Sequence, residues 1–125
     1  MGKTERDPSE ILTDFLNYID CCRAGYQAAQ DAVRKEERRL QDLLHELEFA
    51  ENENEKRRAA TKLQQSRRER RKQKDEMMRR ELVVDFFAEQ AHKGTLNKMR
   101  QLLGRQRKQE EFLDGDRHYN PRVKE

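Results

Sequence analysis

Apolar side chains recur every three or four residues through the first fifty residues of the chain. The stepping passes through twelve positions, of which only Glu36 is charged. The positions are Leu12, Phe15, Ile19, Cys22, Tyr26, Ala29, Val33, Glu36, Leu40, Leu43, Leu47 and Ala50. This repeat, here called the first seam, is typical of a helix that packs along another helix as a coiled coil. Since Asp7 and Pro8 favour a helix start, we predict a first helix over residues 8–50.

The same stepping resumes after a polar break. Residues 51–54 read Glu-Asn-Glu-Asn, and asparagine favours both helix exits and helix caps, so we predict a turn there. The second seam contains Ala59, Leu63, Ser66, Arg70, Gln73, Met77, Arg80, Val84, Phe87 and Ala91. It leads to His92, Lys93 and Gly94, a cationic last turn followed by a glycine stop, which predicts a second helix over residues 55–93.

Folding the two predicted helices back on each other gives an antiparallel hairpin. Positions whose numbers add up to about 106 then face each other, which pairs Glu36 with Arg70, the charged residues of the two seams. We expect this register pair to fix the alignment rather than add stability, because desolvation offsets its attraction. A register shifted by one residue forms pairs that are about as good. The alternative fold is one continuous helix through residues 51–55, which would form a long intermolecular coiled coil.

A third helix is predicted over residues 95–112, with Thr95 as its cap, and an extended tail over residues 113–125. We expect it to pack at the open end of the hairpin, where large apolar residues of the first two helices concentrate. These residues are Leu12, Phe15, Leu16, Ile19, Leu82, Val83, Phe86 and Phe87. The predicted fold is therefore all-α and a single domain over residues 1–125. It is an elongated antiparallel two-helix coiled-coil hairpin with a third helix packed at its open end.

The composition agrees with long, ion-paired helices. Apolar residues make up 33% of the chain and charged residues 42%, yet the net charge is only +3. Five glycines and two prolines leave little material for tight hairpins, which excludes an all-β or doubly wound α/β domain. Without an apolar run of membrane-spanning length or a signal peptide, we expect a cytoplasmic protein with no membrane partner. The adjacent Cys21 and Cys22 are expected to be reduced.

The chain lacks the residue patterns of an enzyme. Its histidines, His45, His92 and His118, do not lie at helical spacing with a thiol or carboxylate, so we expect no metal site. No glycine-rich phosphate loop or nucleophile motif is present, and we expect no cofactor. Cys22 lies in the first seam and is interpreted as a small core residue rather than a nucleophile. The sequence therefore predicts a protein that is not an enzyme.

One stretch stands out electrostatically. Between Lys56 and Lys74, ten cations stand against a single carboxylate, Glu69. The cations are Lys56, Arg57, Arg58, Lys62, Arg67, Arg68, Arg70, Arg71, Lys72 and Lys74. A solvated face that keeps a thin hairpin soluble explains this charge as well as a binding surface does. If it binds, we expect Arg67, Arg68, Arg71 and Lys72 to contact a polyanion or an acidic partner. No aromatic residue interrupts the stretch, which argues against a platform that stacks single-stranded bases.

Three runs of sequence resemble small uncharacterised all-helical proteins of Firmicutes prophages and integrative elements. They are ATKLQQSRRERRKQKDE, NKMRQLLGRQRKQEEF and RHYNPRV, and the likeness covers residues 36–123. It is a likeness of pattern with no catalytic motif. It implies a mobile-element origin and a bacterial cytoplasmic setting, and it transfers no site residues.

Two classes of function follow from these observations. The first is a non-enzymatic helical interaction protein that docks to a protein partner or self-associates into a homo-oligomer. The second is a nucleic-acid or nucleoprotein binder that uses the basic stretch, including an inhibitor of a host defence nuclease of the anti-CRISPR kind. The sequence names no target for either class.

Overall fold

The computed structural model describes residues 5–116, and all structural statements refer to this part of the chain. It contains three α-helices, α1 (Pro8–Glu48), α2 (Glu53–Ala88) and α3 (Gln90–Asp114), and residues 5–116 form no strand. The predicted all-α class is confirmed. Most of the tail predicted over residues 113–125 lies outside the described residues, although Leu113 and Asp114 belong to α3.

The chain divides into two compact units. One comprises the described residues of Met1–Tyr18 and Phe87–Glu125 and is here called the terminal unit. The other comprises Ile19–Phe86 and is called the arm. The arm contains most of α1 and α2, and the terminal unit contains the first turns of α1 together with α3.

The chain turns at residues 49–52, two residues earlier than the predicted 51–54. Asn52 caps α2, because its side-chain Oδ1 accepts a hydrogen bond from the backbone N–H of Glu55 at 2.9 Å. The Glu55 carboxylate in turn accepts the backbone N–H of Glu51 at 2.8 Å. The first bond satisfies a backbone donor that the start of α2 leaves open, and the second ties Glu51 of the turn to the first turn of α2. They explain why the helix is interrupted here although neither glycine nor proline is present.

The boundary between α2 and α3 was predicted wrongly. The second helix ends at Ala88 rather than at residue 93, and α3 begins at Gln90 rather than at residue 95. Glu89 alone separates the helices, with φ −64° and ψ 141°, and its carbonyl accepts the first hydrogen bonds of α3. Gly94, predicted as a stop, lies inside α3, because packing of the apolar face of α3 outweighs the modest cost of a helical glycine.

The arm is held by the two seams. Every first-seam position between Ile19 and Leu47 is buried or half-buried, as is every second-seam position from Ala59 to Val84. Contacts between the helices run antiparallel: Lys62 Nζ lies 3.0 Å from Glu46 Oε1 near the turn, and Arg80 packs on Gly25 farther along. The three-four stepping therefore predicted which side chains face the other helix.

The predicted Glu36–Arg70 pair does not form. Arg70 Nη2 lies 3.2 Å from Glu37 Oε1, whereas Glu36 accepts a hydrogen bond from Ser66 Oγ at 2.7 Å. Glu36 is only 6% exposed and also lies 3.1 Å from Arg39 Nη1. The buried carboxylate is thus satisfied by a hydroxyl from the facing helix and a cation from its own.

The terminal unit is built on leucines. Leu16 of α1 and Leu96 and Leu103 of α3 are buried, and the rings of Phe15 and Phe87 meet edge to face at 6.2 Å. Among the bulky residues expected to form a core, Phe15, Leu82 and Phe86 are exposed, so that prediction was wrong for these three residues. Leu82 and Phe86 are exposed because the second seam already supplies the side of α2 that packs on α1.

Glu110 of α3 ties α3 to the start of α1. One oxygen of its carboxylate accepts the backbone N–H of Ser9 at 3.1 Å, and the other accepts the Ser9 hydroxyl. One turn farther along α1, Thr13 Oγ1 accepts a hydrogen bond from Arg107 at 3.0 Å. A carboxylate at a helix N-terminus satisfies an open backbone donor and complements the positive end of the helix dipole.

Candidate functional site

The basic stretch lies on α2 and is largely exposed. Three of its cations form ion pairs: Lys56 with Glu53, Lys62 with Glu46, and Arg70 with Glu37. The other seven have no ion pair among residues 5–116. They are Arg57, Arg58, Arg67, Arg68, Arg71, Lys72 and Lys74. The acidic residues of α1 therefore leave most of this charge unneutralised.

Three of the four residues predicted to contact a partner lie together. Arg67, Arg68 and Arg71 line a shallow, open depression along α2 with Arg57 and Gln64. The fourth, Lys72, is exposed on α2 but does not line it. Arg57 lines the depression although the sequence did not single it out as a contact, and its spacing from Arg68 and Arg71 follows the helical repeat.

A second three-four repeat runs along α2 on the side that does not face α1. Its members are exposed throughout and are here called the exposed stripe. The stripe consists of a cationic half, Arg57, Thr61, Gln64, Arg68 and Arg71; then Asp75; and an apolar half, Met78, Leu82 and Phe86. Met78, Leu82 and Phe86 are 66%, 82% and 50% exposed. This repeat was present in the sequence, but the assignment of Leu82 and Phe86 to a core concealed it.

The groups considered for chemistry are dispersed. Cys22 is buried in the first seam, Cys21 is exposed, and both are free thiols. His45 stacks on Phe49 with a ring distance of 6.5 Å, and His92 Nδ1 lies 3.1 Å from a Glu89 carboxylate oxygen. Within residues 5–116, no three histidine, cysteine or carboxylate side chains lie close enough together to hold a metal ion. His118 lies outside the described residues.

Glu76 and Arg80 form an ion pair on α2 that makes the Glu76 carboxyl more acidic. Arg80 Nη1 lies 2.8 Å from Glu76 Oε2 and also donates to the backbone carbonyl of Glu76. The hydrogen bond from Arg80 lowers the pKa of the Glu76 carboxyl, and nearby cations add to the effect. The arginine lies over Gly25, where a Cβ atom would stand 2.6 Å from Arg80 Nε. Glycine therefore provides the space that this arginine occupies.

Over residues 5–116, none of the helices combines the length and the apolar character that crossing a membrane requires. Comparison of the chain with protein-family models, with curated proteins and with solved structures gave no match.

Proposed function

We propose that this chain is a non-enzymatic helical interaction protein of a phage or mobile element that docks to a protein partner in the bacterial cytoplasm. The observation that carries the proposal is the apolar half of the exposed stripe. Leu82 is 82% exposed, and Met78 lies on the same face one turn away. Contiguous apolar side chains on the surface of a soluble protein are typical of interaction sites. The coiled-coil packing that we propose for the arm supplies a rigid support for this surface.

Affinity capture from a bacterial lysate tests the proposal. The full chain is used as bait with and without nuclease treatment, alongside the variant Leu82→Gln. We expect the natural chain to capture a protein whose binding persists after nuclease treatment. The Leu82→Gln variant should lose this protein, because glutamine removes the apolar contact.

Leu44→Gln is the matched control, since Leu44 is an exposed leucine of α1 in the same unit. This variant should retain the captured protein. Two results contradict docking through the stripe. Either no protein stays bound after nuclease treatment, or both variants lose the captured protein equally. Self-association is measured separately, by sedimentation velocity of the purified chain over a hundredfold range of concentration.

A second candidate function is binding to duplex nucleic acid or to a nucleoprotein, including inhibition of a host defence nuclease. The specific observation that favours it is the set of seven cations on α2 without an ion pair among the described residues. A cationic helix attracts phosphates without regard to base sequence, and neutralised phosphates release counterions. The expected binding is tolerant of sequence and strongly dependent on salt.

A duplex of defined length, titrated at several salt concentrations, tests the second candidate. If Arg67, Arg68, Arg71 and Lys72 each neutralise a phosphate, the slope of log affinity against log salt should be about −3.6. Replacing all four with glutamine should flatten the slope while leaving helical content unchanged, because glutamine keeps good helix propensity.

Four exposed cations of α3 supply the control set. They are Lys93, Lys98, Arg105 and Lys108. Their replacement by glutamine removes the same charge, so an equal loss of affinity would indicate a general effect of net charge. Absence of duplex binding at low salt would remove this candidate.

A further inference from the structure

The two halves of the exposed stripe lie on one continuous face. From Arg57 to Phe86 the stripe spans 30 residues, a length of about 44 Å along a helix. Within the cationic half and within the apolar half, successive members lie three or four residues apart, and Asp75 joins the two halves in the same repeat. A single ligand that lies along α2 therefore meets both halves.

We infer that the occupant of this stripe is an amphipathic helix of a partner protein, acidic opposite the arginines and apolar opposite Met78 and Leu82. The inference rests on the proposed function and specifies the chemistry of the partner. Charge complementarity carries it: Arg57, Arg68 and Arg71 are exposed and form no ion pair among residues 5–116. Carboxylates are the protein groups that satisfy such arginines.

The identity of the cations also favours a protein ligand. Every cation on the stripe is an arginine, whereas the lysines of the basic stretch lie off it. Arginine is enriched in protein interfaces and lysine is depleted. A nucleic-acid backbone would satisfy the arginines but would leave Leu82 and Met78 in water, whereas a helix that continues into an apolar face covers both halves.

The test uses two synthetic helical peptides of about 30 residues, the length of the stripe, with defined faces. One carries glutamates on the first half of one face and leucines on the second half, and the other carries them in the reverse order, because the direction of the partner helix is open. A third peptide has the same composition in scrambled order. Binding to the labelled full chain is followed by fluorescence anisotropy. We expect one of the two ordered peptides to bind at least about tenfold more tightly than the scrambled peptide.

Variants of the protein show whether one ligand uses both halves. The triple variant Arg57→Gln, Arg68→Gln, Arg71→Gln and the single variant Leu82→Gln should each weaken binding of the ordered peptide by about tenfold. The α3 triple variant Lys98→Gln, Arg105→Gln, Lys108→Gln and the variant Leu44→Gln should leave it within about twofold. Circular dichroism confirms that all variants keep their helical content.

Three results would overturn the inference: neither ordered peptide exceeds the scrambled one, only the arginine variant weakens binding, or a DNA duplex of equal length competes fully with the peptide. The last two results would assign the stripe to a polyanion. If the peptides fail while Leu82→Gln still abolishes capture of a lysate protein, the inference fails and the proposed function stands. If no lysate protein is captured either, both fail.

Discussion

The arm and the terminal unit differ in the mixture of side chains that they bury. Along the arm, the small residues Ala29 and Ala59 and the Glu36–Ser66 pair are buried among larger apolar residues such as Leu43, whereas every buried apolar residue of the terminal unit, among residues 5–116, is a leucine. Small residues allow two helices to approach closely but contribute little apolar area each. The arm therefore spreads its burial over contacts of unequal size, and the terminal unit depends on a few large ones.

The largest expected effect is in the terminal unit. Leu96 is 1% exposed, so Leu96→Ala should lower the free energy of unfolding by about 2–5 kcal/mol through lost burial and a residual cavity. Leu102→Ala on the same helix is the control, since that side chain is 42% exposed and should cost much less. Urea denaturation followed by circular dichroism measures both variants. Equal losses would mean that the terminal unit does not depend on a few large contacts.

A smaller effect is expected from the polar pair of the arm. Ser66→Ala removes the hydroxyl that donates to the buried Glu36 carboxylate, and leaving a buried acceptor without that donor costs about 1–3 kcal/mol. Thr61→Ala on the exposed side of α2 is the matched loss of a hydroxyl and should be nearly neutral. In the double variant Glu36→Gln, Ser66→Ala, the two losses should be less than additive. Additive losses would show that the two side chains act independently.

The bond between α3 and the start of α1 should contribute less. Glu110→Ala removes the acceptor of the Ser9 backbone and hydroxyl groups, a loss of about 0.5–2 kcal/mol for a helix cap. Glu111→Ala provides a neighbouring exposed carboxylate as control. Hydrogen exchange at the first turn of α1 should accelerate only in Glu110→Ala. Unchanged exchange would contradict a capping role.

The smallest effect concerns the pH dependence of the arm. Because the folded-state pKa of Glu76 is lowered, its pairing with Arg80 contributes stability above the unfolded pKa, and this contribution is lost as pH falls through the folded pKa. Arg80→Gln should return the Glu76 pKa toward its ordinary value and remove this part of the acid dependence. NMR titration of the side-chain carboxyl carbon measures the shift. An unchanged pKa in the variant would assign the lowering to other cations.

The elements that depend on local repeats could be predicted from the sequence. The two seams and the asparagine turn follow from residue spacing and capping chemistry, and the structure places them within a few residues of the prediction. The partner of Glu36 could not be predicted, because Arg70 approaches Glu37 instead, a difference of one residue that spacing alone does not resolve. The link from Glu110 to Ser9 joins residues 101 positions apart and has no local signature.

The exposed stripe shows a different limit of sequence reasoning. Leu82 and Phe86 were assigned to a core because large apolar residues are usually buried. Helix α2 has two repeats on two faces, and only the second seam packs on α1. The decision between the two faces depends on tertiary packing, which residue spacing within one helix does not reveal.

The adjacent cysteines provide the arm with a natural reporter of its own opening. Cys21 is exposed and should react promptly with a thiol reagent, whereas Cys22 is buried in the first seam and should react only when the helices separate. The mass of the intact chain distinguishes one label from two. The time between the first and second label therefore measures how often this part of the arm opens, and the natural sequence needs no mutation for it.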